Sequence, residues 1–195
     1  MEIWHGFPSF CINKIYNMKY LVTCLAIAFL PVFLLAQTDV PRLSKMPIGE
    51  SGCSAYFPEG MPAFEASKSE DGADVYTSEM ELGEYRFGCI AVKFAEPFTD
   101  SSPEEMEDLL ISYLDFLKEQ FEITASAGYG KGHLQDDHPD VRGVIDYWQD
   151  AEETQFAVKG WVNQRYLGIM FIYGATEYPI FNVQQLYLDG FRFGE

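Results

Sequence analysis

Two histidines and three carboxylates crowd one short stretch, His133-Leu134-Gln135-Asp136-Asp137-His138-Pro139-Asp140. Imidazole nitrogens and carboxylate oxygens are the donors that zinc and calcium take. His133, Asp136, Asp137 and His138 are therefore the candidate metal ligands, and the chemistry they would serve is metal-assisted hydrolysis. Their spacing is neither HExxH nor the EF-hand order of acids. The plainer reading is a solvated loop.

Other stretches carry weaker chemical signals. Gly49-Glu50-Ser51-Gly52 is similar to the surroundings of a serine protease nucleophile, but Cys53 stands where a GxSxG elbow needs glycine. A Ser51–His133–Asp constellation would have to be assembled by the fold. Gly128-Tyr129-Gly130-Lys131-Gly132 lacks the GK[ST] ending of a phosphate loop and reads as a turn. Carboxylates are so abundant that a pair at glycosidase separation is expected by chance alone. No catalytic residue and no cofactor is assigned from these signals.

The aromatics Tyr147, Trp148, Trp161 and Tyr166 fall on the last strands of the chain, with Tyr173 beyond them. Rings pointing away from the helices would line a ligand surface, and rings pointing inward would be core, the ordinary place for aromatics on a sheet. Cys53 and Cys89 are the two cysteines outside the N-terminal leader. An even pair in an oxidising compartment is expected to form a structural disulfide, with two buried free thiols as the alternative.

That compartment is read from residues 19–37, KYLVTCLAIAFLPVFLLAQ. A basic approach (Lys14, Lys19), an apolar run and a small-residue exit make the layout of a secretory signal peptide, with Met18 a candidate true start. Pro31 interrupts the run and no basic cluster follows it, which argues against a retained span. No cysteine follows the small residues, so lipid attachment is not expected. The chain carries 13 basic and 30 acidic residues, a net charge of −17, and losing Lys14 and Lys19 with only Glu2 leaves the rest more acidic still. Such a surface repels nucleic acid and anionic membranes. The expected organisation is a leader and signal over 1–37, a linker over 38–51 carrying Pro41 and Pro47, and one domain over 52–195.

Local patterns supply the elements that must position these residues. Strands are expected over 53–57, 73–82 and 85–94. In the third, Phe87, Cys89 and Ala91 face one way and Val92 and Phe94 the other, which places it between packed layers. Ser102-Pro103-Glu104-Glu105 starts a helix with a capping box and proline at the first position. Met106, Leu109, Leu110, Tyr113, Phe116, Leu117 and Phe121 form its expected apolar face. Residues 127–140 read as a loop or distorted hairpin. Strands over 141–149, 153–163 and 165–173 follow, the last two joined by a tight turn at Asn163-Gln164. A second helix is expected from a Thr176 cap to Asp189, closed by Gly190, with Phe181, Leu186 and Leu188 buried. The class is α+β: an antiparallel sheet of about six strands packed by two amphipathic helices, in the order β-β-β-α-β-β-β-α.

This layout resembles the PsbP/Mog-type α/β/α sandwich superfamily. The opening Ala55-Tyr56-Phe57-Pro58-Glu59-Gly60-Met61-Pro62 is similar to that family's aromatic-proline start, and Leu186-Tyr187-Leu188-Asp189-Gly190-Phe191-Arg192-Phe193 to its closing helix. The resemblance implies the sandwich. Members act in photosystem assembly or Ran GTPase regulation, and no partner-contacting motif of theirs can be placed here. The sequence therefore points to an exported, non-catalytic domain, periplasmic or extracellular, that binds a protein or small ligand. The alternative is a hydrolase built on the His133/His138 loop.

Overall fold

Ser102 starts the long helix as its local chemistry requires. Its side chain accepts from the Glu105 backbone at 3.2 Å, and the Glu105 carboxylate accepts from the Ser102 backbone at 2.7 Å. The helix, α1, runs Pro103–Gln120. Met106, Leu110, Leu114 and Leu117 are its buried residues. Phe116, expected on that face, is 55% exposed, and Leu114 takes the inward position instead. The one-turn spacing from Leu110 to Leu114 to Leu117 is tighter than the wide face that includes Phe116.

The computed structural model describes residues 41–135, 138–174 and 181–194. The expected leader, the Thr176 cap and the loop residues Asp136 and Asp137 lie outside the described residues. Among the described residues no helix is long and apolar enough to cross a membrane.

A small two-stranded sheet pairs β1 (Leu43–Pro47) with β2 (Ser54–Pro58). The stretch expected to be a linker is thus part of the fold, with Ile48 fully buried beyond β1. Its prolines mislead because Pro47 ends an edge strand, where a missing N–H breaks no central ladder. The large sheet follows the order β3-β4-β5-β10-β9-β8-β6, with β7 also pairing β8. Its strands are β3 (Glu65–Lys68), β4 (Asp74–Leu82), β5 (Tyr85–Lys93), β6 (Ile123–Ser126), β7 (Gly130–Gln135), β8 (His138–Asp150), β9 (Gln155–Val162) and β10 (Tyr166–Gly174). Every pairing is antiparallel. The α+β class and the antiparallel sheet hold. The strand count exceeds six because β1, β3 and β6 are short and lack apolar alternation, and residues 127–140 pair as the β7–β8 hairpin.

Pairing of β5 with β10 joins the strands that precede α1 to those that follow it in one open sheet, and each face of the sheet buries its own core. On one face Val92, Val144, Trp148, Val158, Ile169 and Phe171 pack beneath α1. On the other, Phe57, Phe87, Cys89, Ala91, Met170 and Ile172 pack beneath β1–β2 and the second helix, α2 (Phe181–Leu188). This two-sided burial is what the split apolar pattern of β5 predicts. On α2, Val183, Tyr187 and Leu188 face inward while Leu186 is 52% exposed, the reverse of its expected place. Gly160 on β9 is required by the close approach of α1: a Cβ there would stand 2.4 Å from Leu110.

One buried charge ties α1 to the sheet. Asp146 on β8 is completely buried and accepts from Lys118 at 2.9 Å, Ser126 Oγ at 2.7 Å, Trp148 Nε1 at 2.7 Å, and the Gly128 and Tyr147 amides at 3.0 and 2.8 Å. Burial works to raise its pKa. The hydrogen bonds from Lys118, Ser126, Trp148 and the backbone outweigh that and hold it below the ordinary carboxylate value.

Candidate functional site

Strand β9 reads QFAVKGWV, a charge inside an apolar run. Alternation along the strand sends Phe156, Val158 and Val162 to the α1 core, and Ala157 and Trp161 to the α2 core. Lys159 shares the second face, so its ammonium is delivered into the layer beneath α2. Its side chain is only 6% exposed. A buried ammonium is tolerated only where charge and hydrogen-bonding partners meet it.

Three groups do so. Asp189, one residue past α2, accepts from Lys159 Nζ at 2.5 Å. His133 Nδ1 lies 3.3 Å from the same nitrogen. The Trp161 ring centroid is 4.5 Å from it, within the range of a cation–π contact. An ammonium only donates, so Nδ1 of His133 accepts and its proton sits on Nε2. Burial lowers the His133 pKa, and the neighbouring Lys159 charge lowers it further, against opposing pulls from Asp189 and Glu107. His133 is a neutral acceptor at neutral pH.

Each partner is positioned by its own element. The end of α2 leaves carbonyls without intrahelical donors. Trp161 Nε1 donates to the Leu188 carbonyl at 3.0 Å and Arg192 Nη1 donates to the Asp189 carbonyl at 2.6 Å, which fixes where the Asp189 carboxylate lies. On the sheet side, His133 on β7 is opposite Gly143 on β8, which is opposite Trp161 on β9. A Cβ on Gly143 would stand 2.6 Å from the Trp161 ring and 3.0 Å from His133 Cβ. Glycine is the residue that lets ring and imidazole meet across β8.

Two cavities flank this Lys159–Asp189–His133 bridge and share all three residues. One, about 400 Å³, adds Leu134, Gln135, His138, Trp161 and Arg192. The other, about 280 Å³, adds Ile145, Tyr147, Gln184, Gln185 and Leu188. Together they form a groove between the end of α2 and strands β7–β9, in the size range of small-molecule sites.

Of the residues singled out from sequence, the groove brings together His133, His138, Trp161 and Tyr147. Trp148 is on the opposite face, 1% exposed, its indole bound to Asp146. Tyr166 is 5% exposed in the α2-side core. Neither lines the groove. Among the described residues no group of three His, Cys, Asp or Glu side chains converges as a metal cage. Ser51 is buried in the β1–β2 turn, where its hydroxyl donates to the Ile48 carbonyl and accepts from the Cys53 amide. It is engaged there and not with His133. Cys53 and Cys89 are free and buried in one core, so the expected disulfide is not formed in this structure. Counting cysteines misled because a thiol also serves as a small apolar core side chain. Burial raises the pKa of both.

Sequence reading missed Lys159, Asp189 and Gly143. The available signal was Lys159 itself, a lysine amid the Val158-Gly160-Trp161 stretch of an otherwise apolar strand. Its partners come from elements 26 and 30 residues away, which no spacing rule connects.

No protein-family model matches this chain, and no curated protein matches it. Among solved structures, the fold is similar to the solution structure of cyanobacterial PsbP (CyanoP) from Synechocystis sp. PCC 6803. The two share 11% identity over 81% of this chain and 96% of that chain, with a TM-score of 0.47.

Proposed function

We propose that this chain is an exported, non-catalytic binding module whose site is the groove between the end of α2 and β7–β9. The observation that carries the reading is the pair of cavities built around one ion pair whose lysine is nearly buried. A lysine placed beneath a helix costs desolvation that an apolar residue of its size would not, and such a charge contributes little net stability. A few polar groups converging on concave space are instead what fixes the orientation of a ligand in a small-molecule site. Among the described residues, the groove offers an ammonium, a guanidinium, two imidazoles, one carboxylate and an indole floor within reach of a single small molecule.

Binding, not turnover, fits the roles these groups hold. Nδ1 of His133 is engaged by Lys159, and Ser51, the candidate nucleophile, has its hydroxyl committed to a turn. Export is supported by the signal-like residues 19–37 and by the acidic composition.

Native mass spectrometry of protein purified from its own cell envelope tests this. The expected result is a small-molecule adduct on the wild type that is lost from Lys159→Met. An adduct retained by that variant places the ligand elsewhere and refutes the groove.

A further inference from the structure

Among the described residues, the lining of the larger cavity is richer in basic than in acidic side chains. The whole chain carries 30 acidic residues against 13 basic ones, yet the described residues lining the larger cavity include Lys159 and Arg192 against Asp189 alone. That single carboxylate is already committed through Oδ1 to Lys159. Arg192 uses only Nη1, on the Asp189 and Phe191 carbonyls, so Nη2 and Nε have no partner among the described residues. Gln135 Nε2 donates to the Phe191 carbonyl at 3.0 Å, which ties the β7 wall to the segment carrying Arg192. Two cationic side chains are thereby held around one concavity, next to the neutral imidazole of His133.

We propose that the ligand of this groove is a small organic anion bearing a carboxylate, held by Arg192 and by the Lys159 ammonium. The inference rests on the groove reading above and names the chemistry of its occupant. A guanidinium with free N–H groups is the side chain best matched to a carboxylate, because its donors lie in one plane at the spacing of the two oxygens. Lys159 supplies the second charge at the cavity floor, where low exposure leaves its field little screened by water. Asp189 orients Lys159 and competes with the ligand for it. A neutral polyol would leave the guanidinium charge unanswered, and a polyamine would meet two like charges. In an acidic protein, the surrounding surface repels anions in general, so the groove is where an anion is selected.

The test is a titration of ¹⁵N-labelled protein purified from its own cell envelope with succinate, citrate, glutamate and inorganic phosphate, and separately with glucose and spermidine, at millimolar concentration. The readouts are the Trp161 indole N–H, which lies at the groove, and the Trp148 indole N–H, which lies on the other face and serves as control. The expected result is that at least one carboxylate shifts Trp161 and not Trp148, that Arg192→Gln weakens it at least tenfold, and that Asp189→Asn strengthens it. Arg192 is exposed, so that variant tests the inference even if Lys159→Met fails to fold. Shifts from glucose or spermidine alone keep the groove as a binding site and overturn the anion. Shifts from phosphate alone overturn the carboxylate. Silence at Trp161 with every probe overturns the inference, and the adduct experiment then decides separately whether the groove binds anything.

Discussion

Replacing Asp146 with asparagine asks whether a buried carboxylate holds α1 to the sheet. The carboxylate is completely buried and accepts five hydrogen bonds, two at Oδ1 from the Gly128 and Tyr147 amides and three at Oδ2 from Ser126, Trp148 and Lys118. An amide of the same shape has one acceptor and one donor. With its nitrogen at the Oδ1 position it faces two backbone N–H groups. At Oδ2 it faces an indole N–H and an ammonium. In both orientations Lys118, whose side chain is 18% exposed, loses its closer charge partner and keeps only the exposed Asp115 carboxylate at 3.8 Å. Removing one member of a buried pair destabilises by about 3–5 kcal/mol. The retained amide oxygen and the partial access of Lys118 to water place Asp146→Asn at the lower end, about 3 kcal/mol. For a domain of this size that corresponds to a fall in Tm of roughly 6–12 °C. Urea denaturation followed by far-UV circular dichroism measures it. The sign with pH is fixed by the lowered carboxyl pKa. The wild type's advantage is fully present above the ordinary value of 3.8 and disappears as pH falls through the lower folded value. A loss under about 1 kcal/mol at neutral pH, no more than a single ordinary hydrogen bond, refutes the account.

Gly160→Ala places a methyl 2.4 Å from Leu110 Cδ1 and should destabilise by about 1–3 kcal/mol through overpacking between α1 and β9; an unchanged denaturation midpoint would show that α1 shifts freely. Ser102→Ala removes the N-cap acceptor for the Glu105 amide and should lower stability by about 1 kcal/mol, read from the same urea curve. Lys159→Met removes a charge that lowers the His133 pKa, so the His133 ring should titrate at higher pH in the variant; NMR titration of its ring protons decides, and an unmoved or lower midpoint contradicts the contact. In the wild type, folding leaves His133 harder to protonate. Acidification from the ordinary 6.5 toward the lowered folded value should therefore reduce stability, whereas above 6.5 this group contributes nothing. Cys53 and Cys89 should resist a thiol reagent in the native protein and both react after unfolding without reductant; no reaction after unfolding would mean that they are cross-linked in solution.

Local physics was legible where it depends on neighbours a few residues apart. The capping box of α1 uses Ser102 and Glu105, one turn from each other, and forms as spacing predicts. The alternation of β5 exposes both of its packed faces in the sequence itself. The turn after β9 is equally local, with the Asn163 side chain accepting from the amides of Arg165 and Tyr166. Composition alone could assign the aromatics to sheet faces, but not Trp148 to one layer and Trp161 to the other, since strand phase relative to the helices decides that.

The groove was decided by tertiary structure. Lys159 acquires its meaning only when β9 lies beside β8, β7 pairs β8 with His133 opposite Gly143, and the end of α2 brings Asp189 across. The same holds for Asp146, whose five donors come from α1, β6, β8 and the turn after β6. The sequence by itself determined the helices, the central strands and the acidic character of the chain, because propensity, periodicity and capping act over a few residues and charge is a matter of composition. Which buried charges meet depends on sheet order and register, and those are set by burial of whole faces at once.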